Sequence, residues 1–228
     1  MKTAAFVLLF FIAAAAQEVG FRDLSRKDPN PARHEWFKPA PDCPNGIGIG
    51  SGSSGSHERS LALTVTGLPS NPSRFGERIE VEAELRNIGK EEIEIPWSED
   101  PGDVDRKTSG TLRYREANFR IAVTGTKNEL WSANSKVSLY GSEEKPSTLY
   151  TMNPGEVLRF RFEVSLEDTG VSEKLLRAGG EFRTTVFFFI SARTVTTRKC
   201  YLDRGTSQLN SATAKPVQLV LLPTERPN

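Results

Sequence analysis

Arg78-Ile79-Glu80-Val81-Glu82-Ala83-Glu84-Leu85-Arg86 keeps a strict two-residue rhythm, with apolar side chains at 79, 81, 83 and 85 and charged ones at every position between. Successive side chains of an extended strand point to opposite faces, so this stretch presents one greasy face and one ionic face. A helix would scatter the same four apolar residues around its circumference. The stretch reads as an antiparallel strand with one side on a core and the other in water.

The rhythm continues outward in both directions. Asn87-Ile88-Gly89-Lys90 supplies turn residues, and Ile93, Ile95 and Trp97 resume the alternation against Glu92 and Glu94, which predicts a hairpin with the 78–86 strand. Pro96 cannot donate to a ladder and marks where that pairing stops. Further strands are expected over residues 61–66, 118–124, 137–140, 157–166, 181–192 and 217–222. Asn153-Pro154-Gly155-Glu156 suits a type II turn, with Pro and Gly at its two central positions. Helical spacing is confined to residues 172–177. Short strands separated by turns predict an all-β, immunoglobulin-like antiparallel β-sandwich of about seven strands, over residues 59–223, followed by a tail at 224–228.

One strand is unlike the rest. Phe182, Thr184, Val186, Phe188 and Ile190 form one face, while Thr185, Phe187, Phe189 and Ser191 form the other, so its middle is apolar on both sides. Two readings follow: a central strand whose outer face another segment covers, or a partner-binding patch centred on Phe187 and Phe189.

At the front, Lys2 precedes an apolar run from Ala4 to Ala16 that closes on Ala14-Ala15-Ala16 ahead of Gln17. A basic start, an apolar middle and a small-residue end are the pattern of a secretory signal peptide. Residues 1–16 are expected to be removed and the product to be secreted or periplasmic. The run is shorter than the roughly 20 residues a helix needs to cross a bilayer, and no later run is longer, so no membrane span is expected. Gln17 stands where a lipoprotein would carry cysteine. Residues 17–58, rich in Pro, Gly and Ser, read as a flexible lead; the Gly50–Gly55 match to GxGxxG is accidental, because no strand leads in and no helix follows.

The whole chain carries 30 basic and 29 acidic side chains, and loss of Lys2 with the leader leaves 29 of each. That balance argues against a nucleic-acid partner, which favours a basic face. Cys43 and Cys200 are the only thiols, and an even count in an oxidising compartment predicts that they pair; two unpaired cysteines are the alternative.

Chemistry-bearing residues are sparse. Both histidines, His34 and His57, sit in the lead, where no rigid frame holds a base against a nucleophile, and neither a nucleophile elbow nor a zinc spacing occurs. Glu99, Asp100, Asp103 and Asp105 crowd one loop around Gly102. A solvated acidic loop is its ordinary reading, and a calcium site on Asp100, Asp103 and Asp105 is the alternative, since calcium takes hard oxygen ligands. No other cofactor is implied. Trp97, Trp131, Tyr140 and Tyr150 are either packing residues or a platform for sugar rings.

Several of these segments together resemble the bacterial intracellular proteinase inhibitor family. They are residues 81–87 with Gly89, Phe119-Arg120-Ile121-Ala122-Val123, Glu129-Leu130-Trp131-Ser132, Leu149, and the Pro154-Gly155-Glu156 turn before Leu158-Arg159-Phe160. The resemblance spans residues 78–166 and implies an immunoglobulin-like fold. Export and the inserted stretch 98–118 depart from that family, so no residue is assigned a protease contact. The functional expectation is an exported, non-enzymatic module that binds a protein partner. Inhibition of a secreted protease and carbohydrate binding are its alternatives.

Overall fold

The computed structural model describes residues 20–24, 48–58, 60–69, 71–104, 110–125, 130–165, 173–198 and 201–224. These residues are mostly strand. In chain order they are β1 (Gly20–Asp23), β2 (Gly48–Glu58), β3 (Leu61–Gly67), β4 (Ser73–Arg74), β5 (Arg78–Asn87), β6 (Ile93–Pro96) and β7 (Gly110–Thr124). There follow β8 (Leu130–Gly141), β9 (Leu149–Met152), β10 (Val157–Ser165), the short helix α1 (Glu173–Ala178), β11 (Gly180–Arg198), β12 (Tyr201–Thr213) and β13 (Val217–Leu222).

One sheet runs β1-β10-β5-β3. In the second, β11 is central: β7 and then β8 lie on one side, and β13 and β12 share the other, β13 along the first part of β11 and β12 along the rest. β6 and β9 form a separate two-stranded ribbon. The 78–86 alternation works as expected: Ile79, Val81, Ala83 and Leu85 are buried, and β10 lies antiparallel beside them with Leu158, Phe160, Phe162 and Val164 turned the same way. The second sheet contributes Phe119, Ile121 and Val123 from β7 and Phe182, Val186, Phe188 and Ile190 from β11. At the centre Phe119 packs on Phe162, Phe188 and Phe160 at ring separations of 4.8, 4.8 and 4.9 Å.

Four expectations need correction. The sheets are mixed rather than antiparallel, because β1, β2 and β4 pair in parallel with β10, β12 and β13. All three sit at sheet edges and come from early parts of the chain, and parallel neighbours require just such long connections. The strands outnumber the expected seven. Residues 48–58, read as part of the flexible lead, form a strand, for which backbone pairing with β12 suffices without apolar side chains.

The fourth correction concerns the hairpin between β5 and β6, which does not form: β5 pairs with β10 and β3, while β6 pairs with β9. Asn87 explains the departure. Its side chain is fully buried and donates to the carbonyls of Glu91 and Met152 at 2.8 and 3.0 Å, its Oδ1 accepts from the Gly89 amide, and its backbone bonds Glu156 and Gly155. The chain after β5 is thereby tied to the β9–β10 turn and carried out of its sheet. That turn is as expected, with Gly155 at φ +80° and the Glu156 amide on the Asn153 carbonyl at 3.1 Å. The helical stretch expected at 172–177 is α1.

Candidate functional site

The two sheets turn different surfaces to the outside. On the β5–β10 pair the outward residues form an ionic ladder. Arg159 meets Glu84 at 2.8 Å, Arg161 meets Glu82 at 2.7 Å, and Arg78 meets Glu163 at 3.1 Å. Arg161 also lies 3.7 Å from Glu80 and 3.9 Å from Asp23 on β1. Each of these arginines is matched to a carboxylate.

Across the molecule, β11 alternates from Glu181 to Ile190, where its odd-numbered residues face outward; past the irregularity at Ile190–Ser191 the pattern stops, and Ser191 and Val195 are buried. Phe187 and Phe189 are half-buried there, their rings nearly parallel at 9° with centroids 6.1 Å apart. Arg120 stands opposite Phe187 in the β7–β11 register and places its guanidinium 5.6 Å from the Phe189 ring centre. The next rows are polar. The Ser138 hydroxyl donates to Asn118 at 2.9 Å, and the buried Glu116 carboxylate accepts from Arg193 at 3.0 Å. Arg193 also donates to the Thr206 hydroxyl. Toward the other end of the strand lie exposed Arg183 and Glu181, with exposed Val220 and Leu222 on neighbouring β13.

A concavity of about 350 Å³ opens where β6 ends. Trp97 forms its floor, tilted at 30° against Tyr150 at 4.8 Å and edge-on to Phe160 at 5.9 Å. Arg22 of β1 lies 4.8 Å above the Trp97 ring, donates to the Trp97 carbonyl and pairs with Glu99 at 3.6 Å. Lys145 and Thr148 close the other wall. Behind Trp97, the Tyr150 hydroxyl donates to Glu156, whose carboxylate also accepts from the Asn153 amide at 2.8 Å and side chain at 3.2 Å. That hydrogen bond, burial and the adjacent charge push the Tyr150 hydroxyl up to about 12. Burial alone would raise the Glu156 carboxyl; hydrogen bonds from Tyr150 and Asn153 outweigh it and hold the group below its usual range.

The expected acidic site is part of this rim. Asp100 accepts from the Gly102 amide at 2.6 Å, while Asp103 accepts from the Ser98 hydroxyl and pairs with Lys145 at 3.5 Å. Asp105 lies outside the described residues, and among those described no three His, Cys, Asp or Glu side chains gather as metal ligands. Cys43 and Cys200 also lie outside the described residues, as does His34. Of the four aromatics considered for a sugar platform, Tyr140 is buried, and Trp97 and Tyr150 pack on each other. The expected Phe187 and Phe189 are brought together. Sequence reasoning missed Arg120 and Arg183, although both occupy outward positions of strands whose alternation was legible. It also missed Arg22, for which four residues of strand in a polar lead gave no signal.

No protein-family model and no curated protein matches this chain. Among solved structures it is similar to the sporulation control protein Spo0M from Bacillus subtilis, at 10% identity and TM-score 0.31, over 73% of this chain and 50% of that one. It is also similar to a β-glucosidase from Listeria innocua in complex with glucose, at 15% identity and TM-score 0.25, over 66% of this chain and 16% of that one. A third is the alkylpurine DNA glycosylase AlkC from Pseudomonas fluorescens, at 10% identity and TM-score 0.25, over 67% and 31%. The chain thus spans half the length of Spo0M and less of the other two, and likeness this weak carries no argument about activity.

Proposed function

We propose that this chain is an exported, non-enzymatic binding module on an immunoglobulin-like sandwich, and that it holds a protein partner against the outer face of β11. The observation that carries the reading is the Phe187–Phe189 pair: two aromatic rings set at outward positions of the longest strand, with an arginine beside them. Aromatic and arginine side chains are the residues most enriched where binding energy concentrates in protein interfaces. The opposite outer face, with its matched ion pairs, resembles ordinary solvated surface.

Strand order supports the immunoglobulin-like reading. The sequence β3-β5-β10 in one layer and β13-β11-β7-β8 in the other corresponds to the A-B-E and G-F-C-C′ arrangement of such sandwiches. Export rests on the leader pattern around Lys2 and residues 4–16. The non-enzymatic reading rests on the sequence offering no nucleophile elbow and no zinc spacing, not on the histidines, since His57 falls within β2.

The test is affinity capture from the organism's own secreted or envelope fraction, with mature protein and a Phe187→Ser/Phe189→Ser variant of equal melting temperature. A partner retained by the former and lost by the latter is the expected result. Equal retention by both would place binding elsewhere on the molecule and refute the reading.

A further inference from the structure

We infer that the partner surface recognised by the β11 face is acidic: an extended protein segment that sets carboxylates against Arg120 and Arg183 and apolar side chains against Phe187 and Phe189. The inference rests on the proposed use of that face and adds its chemistry. Arg120 and Arg183 are both exposed, and among the described residues neither guanidinium meets a carboxylate. The face holds two acidic side chains on β7 and β11, and neither offsets them. Glu116 is buried and neutralised by Arg193, and exposed Glu181 lies beyond Arg183 at the far end of the strand from the aromatic pair. β13 contributes only Gln218, Val220 and Leu222 to this side.

On the outer face of the other sheet most arginines are matched, Arg86 of β5 being an exception. There Arg78, Arg159 and Arg161 each have a carboxylate within 3.1 Å. Exposed Arg86 and Arg113 also meet no carboxylate among the described residues, so what sets Arg120 and Arg183 apart is the aromatic pair they flank. Arg183 and Phe187 are four residues apart on an extended strand, roughly 13 Å. An extended segment of a few residues covers that span, with alternate side chains reaching the face. Two arginines are too few to hold a nucleic-acid backbone, whose binding proteins neutralise on the order of 6–10 phosphates.

A phage-displayed random peptide library, panned on the full mature chain, tests this directly. Four immobilised forms are compared: unchanged protein, Phe187→Ser/Phe189→Ser, Arg120→Glu/Arg183→Glu, and Arg78→Glu as a control on the other face. The unchanged protein and the control should enrich peptides that combine Asp or Glu with Leu, Ile or Phe. Synthetic copies of those peptides should bind about tenfold or more weaker to the arginine variant and weaker in high salt, and that variant should enrich basic peptides instead. Neutral or basic enrichment on unchanged protein, or affinity indifferent to the arginine exchange, overturns the inference while leaving the aromatic face intact. Enrichment indifferent to the phenylalanine exchange overturns the parent reading as well. A fluorescent single-stranded oligonucleotide that binds unchanged protein more tightly than the acidic peptides would assign the face to nucleic acid and refute both.

Discussion

The Tyr150 hydroxyl donates its hydrogen bond to the Glu156 carboxylate, and this contact joins the floor of the Trp97 concavity to the turn that starts β10. Glu156 is 6% exposed and keeps its charge because three donors surround it.

The first prediction is a pH dependence with two limbs. A carboxyl held below its unfolded value adds stability above that value and loses it in acid, so Glu156 gives up its share as pH falls below about 4.5. Tyr150, pushed up to about 12 from an ordinary 10.0, keeps its share below pH 10 and loses it as pH rises toward 12. Tyr150→Phe should cost about 1.5–3 kcal/mol at neutral pH, the worth of a hydrogen bond to a charged group. Thermal melts from pH 3 to 7 should be flatter for Glu156→Gln than for the unchanged chain; parallel curves would show that the contact contributes nothing.

The second concerns the ladder on β5 and β10. Glu80 and Glu163 stand directly opposite each other, a like-charge pair that disfavours the sheet, and Arg161 and Arg78 lie diagonally against them. Arg161 serves Glu80, Glu82 and Asp23 at once, whereas Arg159 serves Glu84. Arg161→Met should therefore lower the melting temperature more than Arg159→Met, with the gap closing in 1 M salt because these groups are screened. A gap that persists in salt would assign the effect to packing of the side-chain stem.

Two glycines separate strain from space. Gly155 has φ +80° with nothing within 4 Å of where a Cβ would stand, so Gly155→Ala should cost about 1–2 kcal/mol of left-handed strain alone. Gly179, which ends α1 at φ +72°, would drive its Cβ to 2.7 Å from the Pro223 nitrogen and 2.8 Å from the Leu221 carbonyl. Those are backbone atoms that cannot swing aside. Gly179→Ala should destabilise clearly more than Gly155→Ala in urea titrations; equal midpoints would mean that the segment after β13 yields.

What the sequence revealed and what it hid follow one physical divide. β5, β10 and β13 were legible because each buries one face, and burial writes itself as alternation. The Asn153–Glu156 turn was legible because its geometry is local. β12, with its Gly, Thr, Ser, Gln and Asn, carries almost no alternation, and its strand character comes from neighbours on both sides, β11 and β2. Asn87 was visible as a turn residue, but its buried bond to Met152 depends on a segment 65 residues away, and this ties the chain before β6 to β9. The site divides in the same way: Phe187 and Phe189 stood out as apolar residues on the wrong face, whereas the meaning of Arg120 arises only from β7 lying beside β11.

The sharpest prediction uses three consecutive residues whose chemistry is the same. Phe187, Phe188 and Phe189 differ only in the face their strand gives them: Phe188 is fully buried against Phe119 at 4.8 Å, while its neighbours stack on each other outside the core. Phe188→Ala removes a ring from a filled interior and should cost about 3–5 kcal/mol, lowering the urea midpoint or preventing folding. Phe187→Ser/Phe189→Ser removes two rings from a half-open surface and should leave the midpoint within about 1 kcal/mol of the original. If position drives function, partner retention per folded molecule follows the opposite order, abolished by the outer pair and intact in a milder Phe188→Leu variant. A Phe187→Ser/Phe189→Ser chain that unfolds as readily as Phe188→Ala would mean that the outer rings serve the fold, leaving β11 without a surface reserved for a partner.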